Sequence, residues 1–515
     1  MTKINICQVA SEMVPFAKTG GLADVVGSLS PELKKSRRGG IDVCAFLPLY
    51  KQVKESIPNL ISTNIEVKVK IGDNILSGRI WKTQLPSNID VYFIQRDEYY
   101  HRDYLYSTPE GDYLDNAERF IFFSRATIEA IKLLGIKCDI IHCHDWQSAL
   151  IPVYLKTLYK KDPFFSGTKT LLTIHNLAYQ GVFWHWDMKL TGLGWEFFNH
   201  KQLEFWGKLN FLKGGLVFAD KLTTVSPRYA KEIQTHQYGC GLDGVLRERS
   251  SVLSGIINGV DYSQWNPATD KFIPATYNEQ RLVNKAKNKK TLQQRCSLKE
   301  SDAPLIGVIG RLAEQKGIEL IVQIFDKIMG LNCQFVLLGT GEEKYHRLLL
   351  EIGKKYPAQT SINITFDNTL AHLITAGADM ILLPSKYEPC GLNQLYALKY
   401  GTIPIVHETG GLADTINHYT PESAKSLKGG SASKGQKIAT GFTFKNYSSE
   451  ELLIAIKSAL YLYQNKKEWQ QLMKNAMSQD WSWEHSSKEY ITLYGSMNLP
   501  FSSIPSLSRD KKLLV

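Results

Sequence analysis

Thr19-Gly20-Gly21-Leu22-Ala23-Asp24 and Thr409-Gly410-Gly411-Leu412-Ala413-Asp414 repeat the same residues at opposite ends of one chain. The first copy follows the apolar run Ile4-Asn5-Ile6-Cys7-Gln8-Val9-Ala10, and the second follows another at Ile403–Val406. Each reads as strand, glycine turn and helix start, the unit from which parallel sheets are wound. Its use once in each half predicts two doubly wound α/β domains.

The intervening pattern agrees. Short β-branched runs at Val43–Leu47, Val91–Ile94, Asp139–His142, Leu171–Ile174 and Lys221–Val225 fill the first half. Leu305–Ile309, Phe335–Leu338, Ile362–Phe366, Met380–Leu383 and Ile403–Val406 fill the second, with helix-like stretches such as Asn116–Leu134 and Ile318–Met329 between. Asn-Gly, Asn-Pro and Ile-Pro steps within 252–276 mark the crossing between domains. Ser423–Lys437 reads as a solvated loop, and the Ser-rich basic stretch after Pro500 as a frayed tail.

A chain of 515 residues with 43% hydrophobic content holds two or three full cores. It contains no apolar run of about 18 residues, so no membrane span is expected, and no signal peptide is read at its start. Eight scattered cysteines without a CxxC pair fit a reducing cytosol. A net charge of +11 favours anionic partners. No nucleic-acid motif accompanies it, and a phosphorylated small molecule fits as well.

Several strand-end segments carry chemistry. In Lys18-Thr19-Gly20-Gly21-Leu22, a Gly pair lets backbone amides approach a phosphate at a helix start, with a lysine beside it. The same residues also suit a plain tight turn. Gly310-Arg311-Leu312-Ala313-Glu314-Gln315-Lys316-Gly317 follows a strand, where doubly wound folds bind ligands, and offers two cations for a diphosphate; a solvated basic loop is the alternative. In Tyr387-Glu388-Pro389-Cys390-Gly391-Leu392-Asn393-Gln394, an acid precedes a helix start whose amides suit an anion. His142-Cys143-His144-Asp145 alternates its side chains across a strand, and one strand rarely supplies a closed zinc site, so no metal is assigned. Thr173-Ile174-His175-Asn176 ends another strand.

Together these blocks resemble the glycogen synthase and starch synthase family. KTGGLADVVGSL, HCHDW, TIHNLAYQG, GRLAEQKG, PSKYEPCGLNQLYALKYGTIP and ETGGLADT occur in that family's order, from about residue 4 to about 495. The resemblance implies the GT-B architecture, two Rossmann-like domains facing a deep cleft. It assigns 1–252 to a glucan domain, 253–478 to a nucleotide-sugar domain, 479–498 to a helix returning to the first, and 499–515 to a tail. The two halves are expected to close on ligand.

The implied activity is retaining transfer of glucose from ADP-glucose to the non-reducing end of an α-1,4-glucan. It requires no metal or other cofactor and involves neither nucleic acid nor membrane. The implied location is the cytoplasm, or a plastid if a transit peptide once preceded Met1. By the same resemblance His175, Glu388, Arg311, Lys316 and Asp145 are catalytic. Lys18, Gly20, Gly21, Asn258, Cys390, Gly391, Leu392, Asn393, Tyr396, Thr409 and Gly410 bind the donor. Tyr100, Asn176 and Asp24 face sugar or acceptor.

The sequence departs from the family at a few positions. Asn393 stands where bacterial members often have Thr, and Ser30 where many have Pro. Tyr396 stands where the wider relatives carry a second Glu. A transferase using another acceptor and a glucan-binding protein without catalysis are the competing readings. Tyr396 with the full KTGGL block weighs against the first; intact Lys18, His175, Arg311, Lys316 and Glu388 weigh against the second.

Overall fold

The computed structural model describes residues 4–35, 40–423 and 438–497. Nearly all of the expected Ser423–Lys437 loop and the tail after Pro500 lie outside them. The chain forms two compact units. One comprises the chain up to Val225, Ala230–Gly259 and the chain from Trp483 onward; the other comprises Ser226–Tyr229 and Val260–Ser482. Apart from the short segment Ser226–Tyr229, the crossings fall at 259/260 and 482/483, against boundaries of 252 and 478 drawn from sequence. Gly259 permits the first crossing: a Cβ there would lie 2.5 Å from Trp483 Cα.

The first unit holds a nine-stranded sheet in the order Leu253–Gly255, Lys221–Thr224, Lys169–Ile174, Ile140–His144, Ile4–Val9, Ile41–Pro48, Asp90–Gln95, Asn74–Gln84 and Ile61–Ile71. All neighbours are parallel as far as Asp90–Gln95; the last two strands are antiparallel. Ile4–Val9 pairs with Ile41–Pro48 on one side and Ile140–His144 on the other, so strand order reverses beside it. Loops leaving the carboxyl ends of strands at such a switch point form the ligand crevice of open α/β sheets.

The second unit repeats this logic in six parallel strands: Thr360–Asn363, Gln334–Leu338, Leu305–Ile309, Met380–Leu383, Ile403–His407 and Phe442–Phe444. Its reversal lies between Leu305–Ile309 and Met380–Leu383. The helix Ile318–Met329 buries Ile318, Ile321, Phe325 and Ile328 on one stripe, each such side chain contributing about 1.5–3 kcal/mol. No helix among the described residues is long and apolar enough to cross a membrane.

Both hexapeptides follow a strand and open a helix, as expected, but three details differ from the sequence reading or go beyond it. The repeated hexapeptides are not equivalent: the first follows the central strand and opens a 15-residue helix, Gly21–Lys35, whereas the second follows Ile403–His407 and opens a six-residue one. The strand expected at Ile362–Phe366 ends at Asn363, because Asp367 caps the helix Asn368–Gly377 through Leu370 N (2.8 Å) and leaves Phe366 88% exposed. The hairpin Ile61–Gln84 was not anticipated.

Candidate active site

In the first unit, the turn after Ile4–Val9 is organised around a residue that sequence reading passed over. Glu12 is buried, and its carboxylate accepts hydrogen bonds from Thr19 N, Thr19 Oγ1 (2.7 Å), Gly20 N (3.2 Å) and the Tyr106 hydroxyl (2.8 Å). The Gly20 amide expected to face a phosphate is therefore held by an internal carboxylate. Space over the backbone is nevertheless open, since a Cβ on Gly20 would meet nothing within 4 Å. Gly21 opens the helix.

Lys18 lies beside this turn, 52% exposed, with its ammonium 2.7 Å from Asp24. Both residues were assigned to ligands, and here they pair with each other. An exposed pair of this kind is worth at most about 1 kcal/mol, so it holds the lysine only weakly.

Tyr100 is a correction. It is fully buried against Tyr50 and Tyr99, and its hydroxyl donates to Arg119 O (2.8 Å), so it presents nothing to an acceptor. Tyr106, which reaches Ser11 and Glu12, stands near the glycine turn instead.

The adjacent strand ends bring three histidines together. The rings of His142 and His144 lie 4.2 Å apart, and those of His144 and His175 lie 5.2 Å apart. His142 Nε2 meets Thr173 Oγ1 (2.6 Å), and its Nδ1 meets the hydroxyl of Tyr494 on the C-terminal helix (2.9 Å). His144 bridges Gln8 Oε1 (2.7 Å) and His175 Nε2 (3.0 Å). Burial holds His142 and His144 well below the ordinary histidine range and His175 at about 3, so all three are neutral. Each contact of a neutral imidazole carries one proton. The Gln8 oxygen accepts from His144 Nε2, so His144 Nδ1 accepts from His175 Nε2, which leaves a lone pair on His175 Nδ1.

Asp145 follows at φ 52°. Its Oδ1 accepts from His175 N (2.7 Å), and burial pushes its carboxyl up to about 7, opposed by hydrogen bonds from the His175 and Asn176 amides. The Asn176 side chain caps its own turn, accepting from Ala178 N at 3.1 Å. Asn258 is buried with Oδ1 receiving no hydrogen bond from any described residue, an unmet acceptor that fits a ligand donor.

These titrations set an expectation for stability. The histidines have depressed folded pKa values, so the stability they contribute is present above the unfolded value near 6.5 and is lost as pH falls from there toward about 3. Asp145, raised to about 7, acts oppositely, but it is one group against three. The melting temperature should fall steadily between pH 7 and pH 5. A flat profile there would contradict the neutral triad.

In the second unit, the loops leaving both strands of the switch point interlock. Asn393 Nδ2 donates to Ile309 O (2.8 Å), tying the start of the helix Asn393–Tyr400 to the end of Leu305–Ile309. Gln315 accepts from Arg311 Nη2 (3.1 Å) and donates to Tyr387 O (3.2 Å), and its carbonyl receives Lys386 N (2.9 Å). Lys316 Nζ lies 2.5 Å from Glu388 Oε2, which also accepts from Ser385 Oγ (2.9 Å); the Glu388 side chain is only 8% exposed.

The second hexapeptide supports this loop from beneath. A Cβ on Gly410 would lie 1.9 Å from Glu388 O, one on Gly411 2.0 Å from Cys390 O, and Gly411 N donates to Glu388 O (3.0 Å). Glycine is needed here for close backbone approach. Thr409, Gly410 and Cys390 are buried, Gly391 adopts φ 74°, and Leu392 stands at the N-cap position of the helix that follows without a side-chain capping bond.

Tyr396 stacks on Trp265 at 3.9 Å and 2°, and Trp265 stacks on His372 at 3.8 Å and 9°. Trp265 lies in a loop with no periodicity to flag it. Among the described residues, no group of three or more His, Cys, Asp or Glu converges as metal ligands would.

Comparison with known proteins gives the same reading. Residues 5–248 match the starch synthase catalytic domain, and residues 289–478 match glycosyl transferases group 1. The glycogen synthase of Koribacter versatilis is 47% identical over 491 residues, covering 95% of this chain and 98% of that protein. That of Fervidobacterium nodosum is 46% identical over 497 residues, again covering 95% and 98%. The catalytic domain of starch synthase IV from Arabidopsis thaliana, bound to ADP and acarbose, matches with a TM-score of 0.85 at 32% identity over 96% of this chain and 99% of that one. Matched at such identity along nearly its whole length, the chain belongs to the glycogen synthase and starch synthase family, glycosyltransferases built of two Rossmann-like units in the GT-B architecture.

Proposed function

We propose that the protein transfers glucose from ADP-glucose to the non-reducing end of an α-1,4-glucan with retention, without a metal, in the cytoplasm. The observation that carries this is the pairing of Lys316 with the buried Glu388 beside Arg311, at a strand-order reversal. Breaking a glucosyl–phosphate bond builds negative charge on the departing diphosphate. Fixed cations there act mainly in the transition state, the condition for raising kcat. Before donor binds, Glu388 keeps Lys316 in position. When the diphosphate arrives, Lys316 serves both anions, and Glu388 accepts from hydroxyls of the transferred glucose.

In the first unit, Lys18 exchanges Asp24 for the donor phosphates, and Asp145 with the His175–Asn176 turn faces the reacting sugar. Tyr396, stiffened by the Trp265 stack, contributes to the donor site.

Incorporation of labelled glucose into a maltooligosaccharide primer tests this, run with ADP-glucose and with UDP-glucose, each in excess EDTA. Higher kcat/KM with ADP-glucose in the chelator is expected. Preference for UDP-glucose would overturn the donor, and loss of turnover restored by a divalent ion would overturn the metal-free route.

A further inference from the structure

Just beyond the His175–Asn176 turn, the first unit exposes an array of aromatic rings that the reaction does not use. Trp184 is 63% exposed, Trp195 46% and Trp186 43%. They are contiguous. Ring centroids of Trp184 and Trp186 lie 6.2 Å apart at 64°, those of Trp186 and Trp195 5.7 Å at 84°, and those of Trp195 and Phe198 5.6 Å at 80°. Edge-to-face packing joins the rings while much of Trp184 and Trp195 stays in solvent. The backbone beneath is anchored by buried Met188 and Leu193, so the rings are presented from a fixed base. A contiguous exposed apolar patch of this kind marks an interaction site.

Two features choose the occupant. The first is continuity. Phe183, which precedes Trp184, packs 5.6 Å from Trp146, the residue after Asp145. Gly181 lies so close to Trp146 that a Cβ would approach its ring to 2.5 Å. The array is thus joined through packed residues to the turn holding Asp145 and His175. The second is chemistry. A pyranose has apolar C–H faces and a hydroxyl rim, so it stacks on an exposed ring while its hydroxyls stay in water. Lys189 Nζ sits 4.3 Å over the Trp186 ring, and Asp187 and Glu196 adjoin Trp186 and Trp195 in the chain, so polar groups that can meet sugar hydroxyls flank the rings.

We propose that Trp184, Trp186 and Trp195 form a binding platform for an α-glucan chain, holding polymer residues that do not enter the reaction. The inference rests on a glucan being the acceptor.

Affinity electrophoresis in gels containing glycogen, together with initial rates on glycogen and on maltotriose, tests it. Trp184→Ala/Trp195→Ala should weaken retention by glycogen and raise the KM for glycogen roughly tenfold or more, the scale of stacking on aromatic platforms. Kinetics on maltotriose and the melting temperature should stay at wild-type values, and Trp184→Phe/Trp195→Phe, which keeps rings, should recover most of the binding. Equal losses on both acceptors, unchanged glycogen affinity, or a wild-type dimer that the alanine variant dissolves would each overturn the platform. A wild-type protein that transfers glucose to neither acceptor would instead refute the proposed function.

Discussion

Lys316→Ala and Arg311→Ala are each expected to lower kcat by about 10²–10³-fold at saturating primer, the usual cost of removing one donor aimed at developing charge. The two differ in what else they disturb. Arg311 is exposed, so its loss should leave the melting temperature nearly unchanged. Lys316 neutralises a carboxylate that is 8% exposed, so Lys316→Ala leaves Glu388 with the Ser385 hydroxyl but no cation and should also destabilise the fold. Lys316→Ala/Glu388→Gln separates the roles: removing the orphaned charge should restore the melting temperature without restoring kcat. Recovery of both together would reduce Lys316 to a structural partner of Glu388, and near-wild-type kcat in both single variants would refute the diphosphate assignment.

Asp145→Asn is expected to cost about 10²-fold in kcat/KM. The carboxylate fixes the His175 amide at 2.7 Å, and small misplacements of a reacting group cost on that scale. Since Asp145 titrates near 7, the wild-type pH profile should carry a limb there that the variant lacks. Stability should respond in the opposite sense. A folded pKa raised from about 4 to about 7 means that native Asp145 holds a proton which the unfolded chain releases. Its contribution is therefore present below about pH 4 and is lost as pH rises through about 7. Asn carries no such charge into the interior, so Asp145→Asn should melt at or above wild type at pH 8 while remaining slow. A variant that is slow only because it unfolds would melt lower at pH 8.

The fold was legible where strands are buried on both faces. Leu305–Ile309 and Met380–Leu383 read as unbroken apolar runs because parallel strands are covered by helices on each side. The hairpin Ile61–Gln84 escaped because it lies at an antiparallel edge with much of its surface in water, and Ile61 and Ile75 are themselves exposed. At the site, the residue types that carry chemistry were legible, but their partners were not. Tyr100 and Tyr106 are indistinguishable by pattern, yet one is sealed in the core and the other reaches Glu12.

The sequence by itself determined the two wound sheets, the strand-end loops bearing Lys18, Asp145, His175, Arg311, Lys316 and Glu388, and the family to which such blocks belong. Periodicity and turn chemistry are local, and local rules suffice for those. The tertiary structure decided that Glu12 holds the first glycine turn, that the second supports the Glu388 loop, that Trp265 backs Tyr396, and that Gln8 and His144 fix the proton on His175. Each of these joins residues brought together only by packing, where hydrogen-bond satisfaction and close backbone approach choose the partner.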